Sequence, residues 1–332
     1  MNSVLNTLDT EDNMKQCQLG ESNIQISSII MGLWQAGKEM WVGIQDKETT
    51  RAIRAAYDAG ITTFDTAEAY GKGHSEQILA SAISDIRDRV IYATKVFANH
   101  LKYDQVIQSC ERSLKNLQTD YIDLYQIHWP SDSFGFQAVP IAETMNALNT
   151  LKEQGKIRSI GVSNFSRAQL QEALEYGRID SLQPPYSLFW RHVEYELTPF
   201  CAENKITILA YSPMAQGLLT GKFRPKHVFE KGDVRAKNKL YQPEMYTRVQ
   251  EALLRLEPIA RQKGVTLGQL ALGWVISHTN TCAIAGARNA DQATANAAAG
   301  ELTLSDEDLA AMDEIGRSVT DYLDDDPVMW KF

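Results

Sequence analysis

Four residues of this chain have types and spacing suited to acid–base chemistry: Asp65, Tyr70 five positions later, Lys95 and His128. A tyrosine hydroxyl, with an ordinary pKa of about 10, is a weak acid near neutrality unless its anion is stabilised. The ammonium of Lys95 can stabilise it, and the Asp65 carboxylate can keep that ammonium charged and aimed despite burial. His128 can then orient a carbonyl oxygen by hydrogen bonding. Taken singly, each residue is explained as well by a satisfied polar group in a protein interior; together they make a general acid with its tuning shell. Lys95 has a rival role as a Schiff-base nucleophile, because buried lysines of lowered pKa also run aldolase chemistry.

The elements that must position these residues are legible as apolar runs of strand length. Eight occur, at residues 27–34, 61–67, 90–96, 121–128, 157–164, 179–186, 206–213 and 281–287. Continuous apolar runs are what parallel strands buried on both faces require. Segments with helical apolar spacing separate them, at 46–59, 75–86, 103–117, 141–154, 166–176, 194–204 and 244–262. Ser166 with Gln169 and Thr266 with Gln269 have the spacing of capping boxes. Eight strands alternating with helices predict an α/β fold, a single-domain (β/α)8 TIM barrel. The first run lacks a following G-x-G-x-x-G, which argues against a dinucleotide-binding doubly wound half. Active sites of such barrels sit at the C-terminal strand ends, where Asp65, Lys95 and His128 fall. Outside the barrel we expect a loose tail at residues 1–14, a hairpin at 16–26, a capped helix at 305–316 and a C-terminal tail at 317–332. The acidic stretch 321–326 reads as a solvated face, and Trp330 and Phe332 as groups able to fold over the barrel.

Composition narrows the partners. The 332 residues include 42 acidic against 33 basic side chains, a net charge of −9 that repels nucleic-acid backbones and anionic membrane surfaces. An anionic ligand therefore needs a local pocket of backbone N–H groups and a few cations. Four scattered cysteines without a C-x-x-C pair give no zinc knuckle, no other metal site and no disulfide framework. The acidic N-terminus has no apolar leader, so the cytoplasm is the expected compartment. Residues 265–287 carry no charge, but the polar stretch 277–281 divides them into an amphipathic helix and a strand rather than a membrane span. Nothing in the sequence marks an obligate protein partner, and a small-molecule substrate is expected.

Several segments, in order, resemble the aldo-keto reductases: Phe64-Asp65-Thr66-Ala67-Glu68-Ala69-Tyr70-Gly71 with His74-Ser75-Glu76, Ala93-Thr94-Lys95, Gln126-Ile127-His128-Trp129, Gly161-Val162-Ser163-Asn164-Phe165 and Ala210-Tyr211-Ser212-Pro213. The resemblance implies a (β/α)8 fold, NADP(H) as cofactor and a catalytic tetrad at Asp65, Tyr70, Lys95 and His128. It also implies that aldehyde or ketone carbonyls are reduced to alcohols, with hydride from the nicotinamide and a proton from Tyr70. By the same similarity Ser163, Asn164 and Gln183 bind the carboxamide, Tyr211 stacks on the nicotinamide, and Ser212 and Trp34 join the cofactor site. Residues 283–288, including Gly286 and Arg288, resemble the segment around the adenosine 2′-phosphate, with Gln292 and Asn296 one helical turn apart. Residues 216–223, including Gly217, Leu219 and Lys222, resemble the loop that closes over the pyrophosphate. The basic stretch 222–239 reads as a cofactor lid. The alternative that the resemblance implies is a cofactor-binding auxiliary or redox-sensing subunit with little turnover, since some members, such as potassium-channel β subunits, mainly serve a partner. Trp34, Trp41, Trp129, Phe134, Phe136 and Trp190 lie near strand ends and can line an apolar substrate mouth, with Trp34 and Trp129, directly after strand ends, the expected contacts.

Overall fold

A computed structural model of the chain describes residues 14–223 and 227–329. Eight parallel strands close into a barrel: β3 (Ile29–Gly32), β4 (Thr63–Asp65), β5 (Ile91–Val96), β6 (Ile122–Ile127), β7 (Ile157–Ser163), β8 (Ser181–Gln183), β9 (Thr207–Tyr211) and β10 (Thr281–Gly286), with β10 pairing back onto β3. Between them run α1 (Asp46–Asp58), α2 (His74–Ile83), α3 (Tyr103–Leu117), α4 (Ile141–Glu153), α5 (Arg167–Tyr176), α6 (Val193–Glu203), α7 (Pro243–Lys263) and α8 (Leu267–Ile276); α9 (Ala290–Ala298) and α10 (Asp306–Thr320) follow. The expected hairpin forms as antiparallel β1 (Gln16–Gln18) and β2 (Gln25–Ser27), with Cys17 opposite Ile26.

The strands alternate, and the alternation explains why the site forms at one end. Ile30, Ala93, Leu124, Leu209 and Cys282 point into the barrel, where they pack with Leu19, Ile24 and Ile26 of the N-terminal hairpin. That hairpin plugs the lower end, and each of its buried aliphatic side chains contributes roughly 1.5–3 kcal/mol. Successive side chains of a strand face opposite sides, so two residues further along the inward face comes a polar group instead. Ala93 leads to Lys95, Leu124 to Gln126, Leu209 to Tyr211. Outward-facing Ile29, Met31, Tyr92, Tyr125 and Ile160 instead pack in the core between barrel and helices.

Both expected capping boxes form: Ser166 Oγ accepts from Gln169 N at 3.3 Å, and Thr266 Oγ1 from Gln269 N at 3.2 Å. Three boundaries differ from expectation. Met14, placed in the loose tail, is buried against Ser28, whose hydroxyl donates to Met14 Sδ at 3.7 Å. Residues 317–320, placed in the C-terminal tail, continue α10, because Val319 still faces the core. The acidic stretch is not simply solvated: Lys239 holds Asp324 at 2.7 Å and Asp326 at 2.8 Å, and Met329 is buried. Residues 1–13, Trp330 and Phe332 lie outside the described residues. No helix among the described residues is long and apolar enough to cross a membrane.

Candidate active site

The four candidate acid–base residues converge at the C-terminal strand ends, around a cavity of about 870 Å³. Lys95 is wholly buried and donates to Asp65 Oδ1 at 2.6 Å and to the Thr66 carbonyl at 2.7 Å. The other carboxylate oxygen, Asp65 Oδ2, accepts from Gln183 Nε2 at 2.9 Å and Gln126 Nε2 at 3.2 Å. Both carboxylate oxygens of Asp65 are thus bonded where it meets the cavity wall. Burial pulls the Lys95 ammonium below the usual lysine range, while the Asp65 charge works in the opposite direction. Lys95 has no exposed surface, which disfavours the access a Schiff-base nucleophile needs.

Tyr70 lines the cavity with its ring 5.1 Å from the Lys95 ammonium and 5.5 Å from the His128 ring, edge-on to the latter. Two of the three Lys95 donors go to Asp65 and Thr66, and burial, with the Asp65 charge adding to it, holds the phenol well above its ordinary range. The hydroxyl therefore stays protonated near neutral pH. His128 is pushed well below its ordinary pKa by burial and by the Lys95 charge, so its ring is neutral near pH 7. Its buried Nδ1 has no protein partner.

Tyr70 is placed by a close backbone approach. A Cβ on Gly37 would stand 2.6 Å from the Tyr70 carbonyl carbon and 2.7 Å from Gly71 N, so only glycine fits against this turn. Gly37→Ala must push the Tyr70 loop outward, and kcat/KM is expected to fall about 100-fold, the penalty typical of a 1 Å misplacement. Steady-state kinetics check this; a loss of under about threefold would mean that the turn relaxes.

The remaining expected contacts fall in three groups. Ser163, Asn164, Gln183, Tyr211 and Ser212 all reach the cavity wall, but most of their polar atoms bond one another. Ser163 Oγ donates to the Gln183 carbonyl at 2.7 Å, and Tyr211 donates to Asn164 Oδ1 at 2.9 Å. Asn164 Nδ2 reaches the His128 carbonyl at 3.1 Å. The Gln183 amide, expected to serve a ligand, is engaged with Asp65. Gly217, Lys222, Gly286, Arg288, Gln292 and Asn296 also line the cavity. Gln292 Oε1 accepts from Arg288 N at 2.9 Å and Asn296 Nδ2 donates to the Gly286 carbonyl at 3.2 Å, bracing the segment that carries Arg288. Leu219 corrects the expectation: it is absent from the wall, with its side chain in the core and its amide on the Met214 carbonyl at 3.1 Å. Trp34 and Trp129 line the wall, whereas Trp190 is core, its indole N–H on the Pro327 carbonyl at 3.0 Å.

Several residues were missed in the sequence. Gln126 had a usable signal, since it lies two positions before His128 on the same strand face. Gln35, whose amide donates to the Ala287 carbonyl at 2.9 Å, had none. Arg235 counted only as one charge of a basic stretch, yet it is buried on the cavity wall, bonded to Asp233 at 2.8 Å, with its guanidinium 5.3 Å from the Trp41 ring. Arg288 stands 5.7 Å from the same ring. Its buried Nη2 has no protein partner, and burial together with the Arg235 charge lowers its pKa. Lys222 is lowered by burial and by both arginines. Three cations with Asp233 as their close carboxylate thus face one cavity of an otherwise acidic protein.

Comparison with known proteins bears on what this cavity serves. The sequence pattern described as Aldo/keto reductase family matches residues 28–317. The chain belongs to the aldo/keto reductase family. The aldo-keto reductase YhdN of Bacillus subtilis is 38% identical over 307 residues, covering 89% of this chain and 91% of that protein. The NADH-specific methylglyoxal reductase of Escherichia coli is 34% identical over 328 residues, covering 92% and 99%. An aldo-keto reductase from Klebsiella pneumoniae, solved in complex with NADPH, superposes with a TM-score of 0.75 at 30% identity, covering 96% of this chain and 99% of that one. The (β/α)8 barrel expected from the sequence is thus both observed and shared with family members.

Proposed function

We propose that this family member reduces aldehyde or ketone carbonyls to alcohols with NADPH as cofactor. The observation that carries the reading is the Arg288 guanidinium, whose buried Nη2 has no protein partner, beside Lys222 and Arg235 in the same cavity as Tyr70 and His128. Three cations sharing one close carboxylate, Asp233, fit an anionic ligand, and Arg288 suits a phosphate through charge-assisted bonds. Arg288, Gln292 and Asn296 would hold the adenosine end, Gly217 and Lys222 the pyrophosphate, and Ser163, Asn164, Gln183 and Tyr211 the nicotinamide. Bound there, the cofactor supplies the hydride.

The chain's own residues do the rest. Neutral His128 donates an N–H to the carbonyl oxygen and stays uncharged, because the Lys95 charge opposes a second positive charge beside it. Tyr70 holds the proton that this oxygen takes. Lys95, kept in place by Asp65 and Thr66, steadies the phenolate left behind. Trp34 and Trp129 shield the carbonyl from bulk water.

The test is cofactor oxidation with a panel of aldehydes and ketones, using NADPH and NADH in turn. The relatives differ here, since one is NADH-specific by name and another binds NADPH. Turnover with the wild type is expected to favour NADPH. Arg288→Leu should lower the NADPH-to-NADH preference about 10- to 100-fold, the loss of a charged hydrogen-bond partner worth about 1.5–3 kcal/mol. An unchanged preference would show that Arg288 does not read the 2′-phosphate, and no oxidation of either cofactor with any carbonyl would overturn the reductase reading.

A further inference from the structure

We infer that Phe134 is a specificity-determining residue, and that the substrate it selects is an uncharged aldehyde with a flat, conjugated or aryl tail. This inference rests on the reductase reading and deepens it.

Rings lead outward without a break from the proton donor. The His128 ring meets Tyr70 at 5.5 Å and Phe97 at 5.5 Å, edge-on to each. Phe97 then stacks on Phe134, centroids 5.7 Å apart and planes 15° from parallel. Trp129 closes edge-on against Phe134 at 5.2 Å. Phe97, Trp129 and Phe134 all line the cavity, yet Phe134 remains 43% exposed. Phe134 holds a φ of 60°, in the left-handed region that bulky side chains avoid. Backbone strain that presents an apolar ring at the mouth of a cavity is a common mark of a ligand contact.

The charge around this wall sets the rest of the substrate class. The lysine and arginines of the cavity wall, Lys222, Arg235 and Arg288, gather around Trp41 and the β9 and β10 loops. The wall formed by Phe97, Trp129 and Phe134 adds none, and Glu39 lines the same cavity. A carbonyl held at Tyr70 and His128 therefore sends its tail along aromatic faces where, among the described residues, no cation lies to receive a carboxylate or phosphate. A flat conjugated tail gains stacking there, which a two-carbon methyl ketone tail cannot.

The test compares kcat/KM for cinnamaldehyde and for methylglyoxal in the wild type, Phe134→Asn and Phe134→Trp. Asparagine tolerates the positive φ, so it removes the ring while keeping the turn. Wild type should prefer cinnamaldehyde. In Phe134→Asn the preference should fall about fivefold to tenfold, mostly through a higher KM, and Phe134→Trp should retain it. A wild type without preference for cinnamaldehyde, or a preference that Phe134→Asn leaves unchanged, overturns the inference while the reductase reading stands. Failure to reduce either aldehyde, or any other carbonyl, overturns both.

Discussion

Tyr70→Phe is expected to abolish most carbonyl reduction, with kcat falling about 100- to 10,000-fold, the usual contribution of a positioned general acid. The change removes one oxygen and keeps the ring. Contacts of that ring with His128 at 5.5 Å, with Trp34 at 6.5 Å and with the Lys95 ammonium at 5.1 Å are all available to phenylalanine. Fold and cofactor affinity should therefore persist, which cofactor binding followed by fluorescence can check. The effect should fall on kcat, because the proton is needed only as the alkoxide forms. Turnover within about threefold of wild type would remove Tyr70 from the role of proton donor.

The second large effect concerns stability. Asp65→Asn is expected to destabilise the barrel by about 3–5 kcal/mol, because it leaves a buried cation without its counter-charge. Lys95 has no exposed surface, and its other acceptor is the uncharged Thr66 carbonyl. The remedy follows from the cause. Adding Lys95→Met removes the stranded charge, and the double variant should recover most of the lost stability while staying inactive. Urea unfolding with parallel activity assays separates the two effects. A single variant costing under about 1 kcal/mol would show that the pair does not depend on its charge. Recovered activity in the double variant would show that Lys95 does not steady the Tyr70 anion.

Much of the fold was legible because local patterns governed it. The eight apolar runs all became barrel strands, although 179–186 shortened to Ser181–Gln183 where Pro184 and Pro185 cannot donate to a strand ladder. The capping boxes formed where their spacing placed them. The C-terminal helix ran through Gly316, its expected end, for four more residues, because Val319 still finds core to cover. What strand periodicity could have revealed, but only once an inward face is assigned, is the amide of Gln126 beneath the site.

The sequence by itself determined which residues could do chemistry and at which strand ends they stand, because strand periodicity and residue type are local properties. It placed Asp65, Lys95 and His128 one strand apart in succession and Tyr70 just beyond. Only the tertiary structure decided their states. Closure of the barrel buries Lys95 and turns its donors to Asp65 and Thr66, and that same burial raises the Tyr70 phenol and keeps His128 neutral. Loops that contribute no regular pattern bring Arg235 beside Arg288 and stack Phe134 on Phe97. Desolvation and long-range charge depend on what surrounds a group in three dimensions, and no spacing along the chain records them.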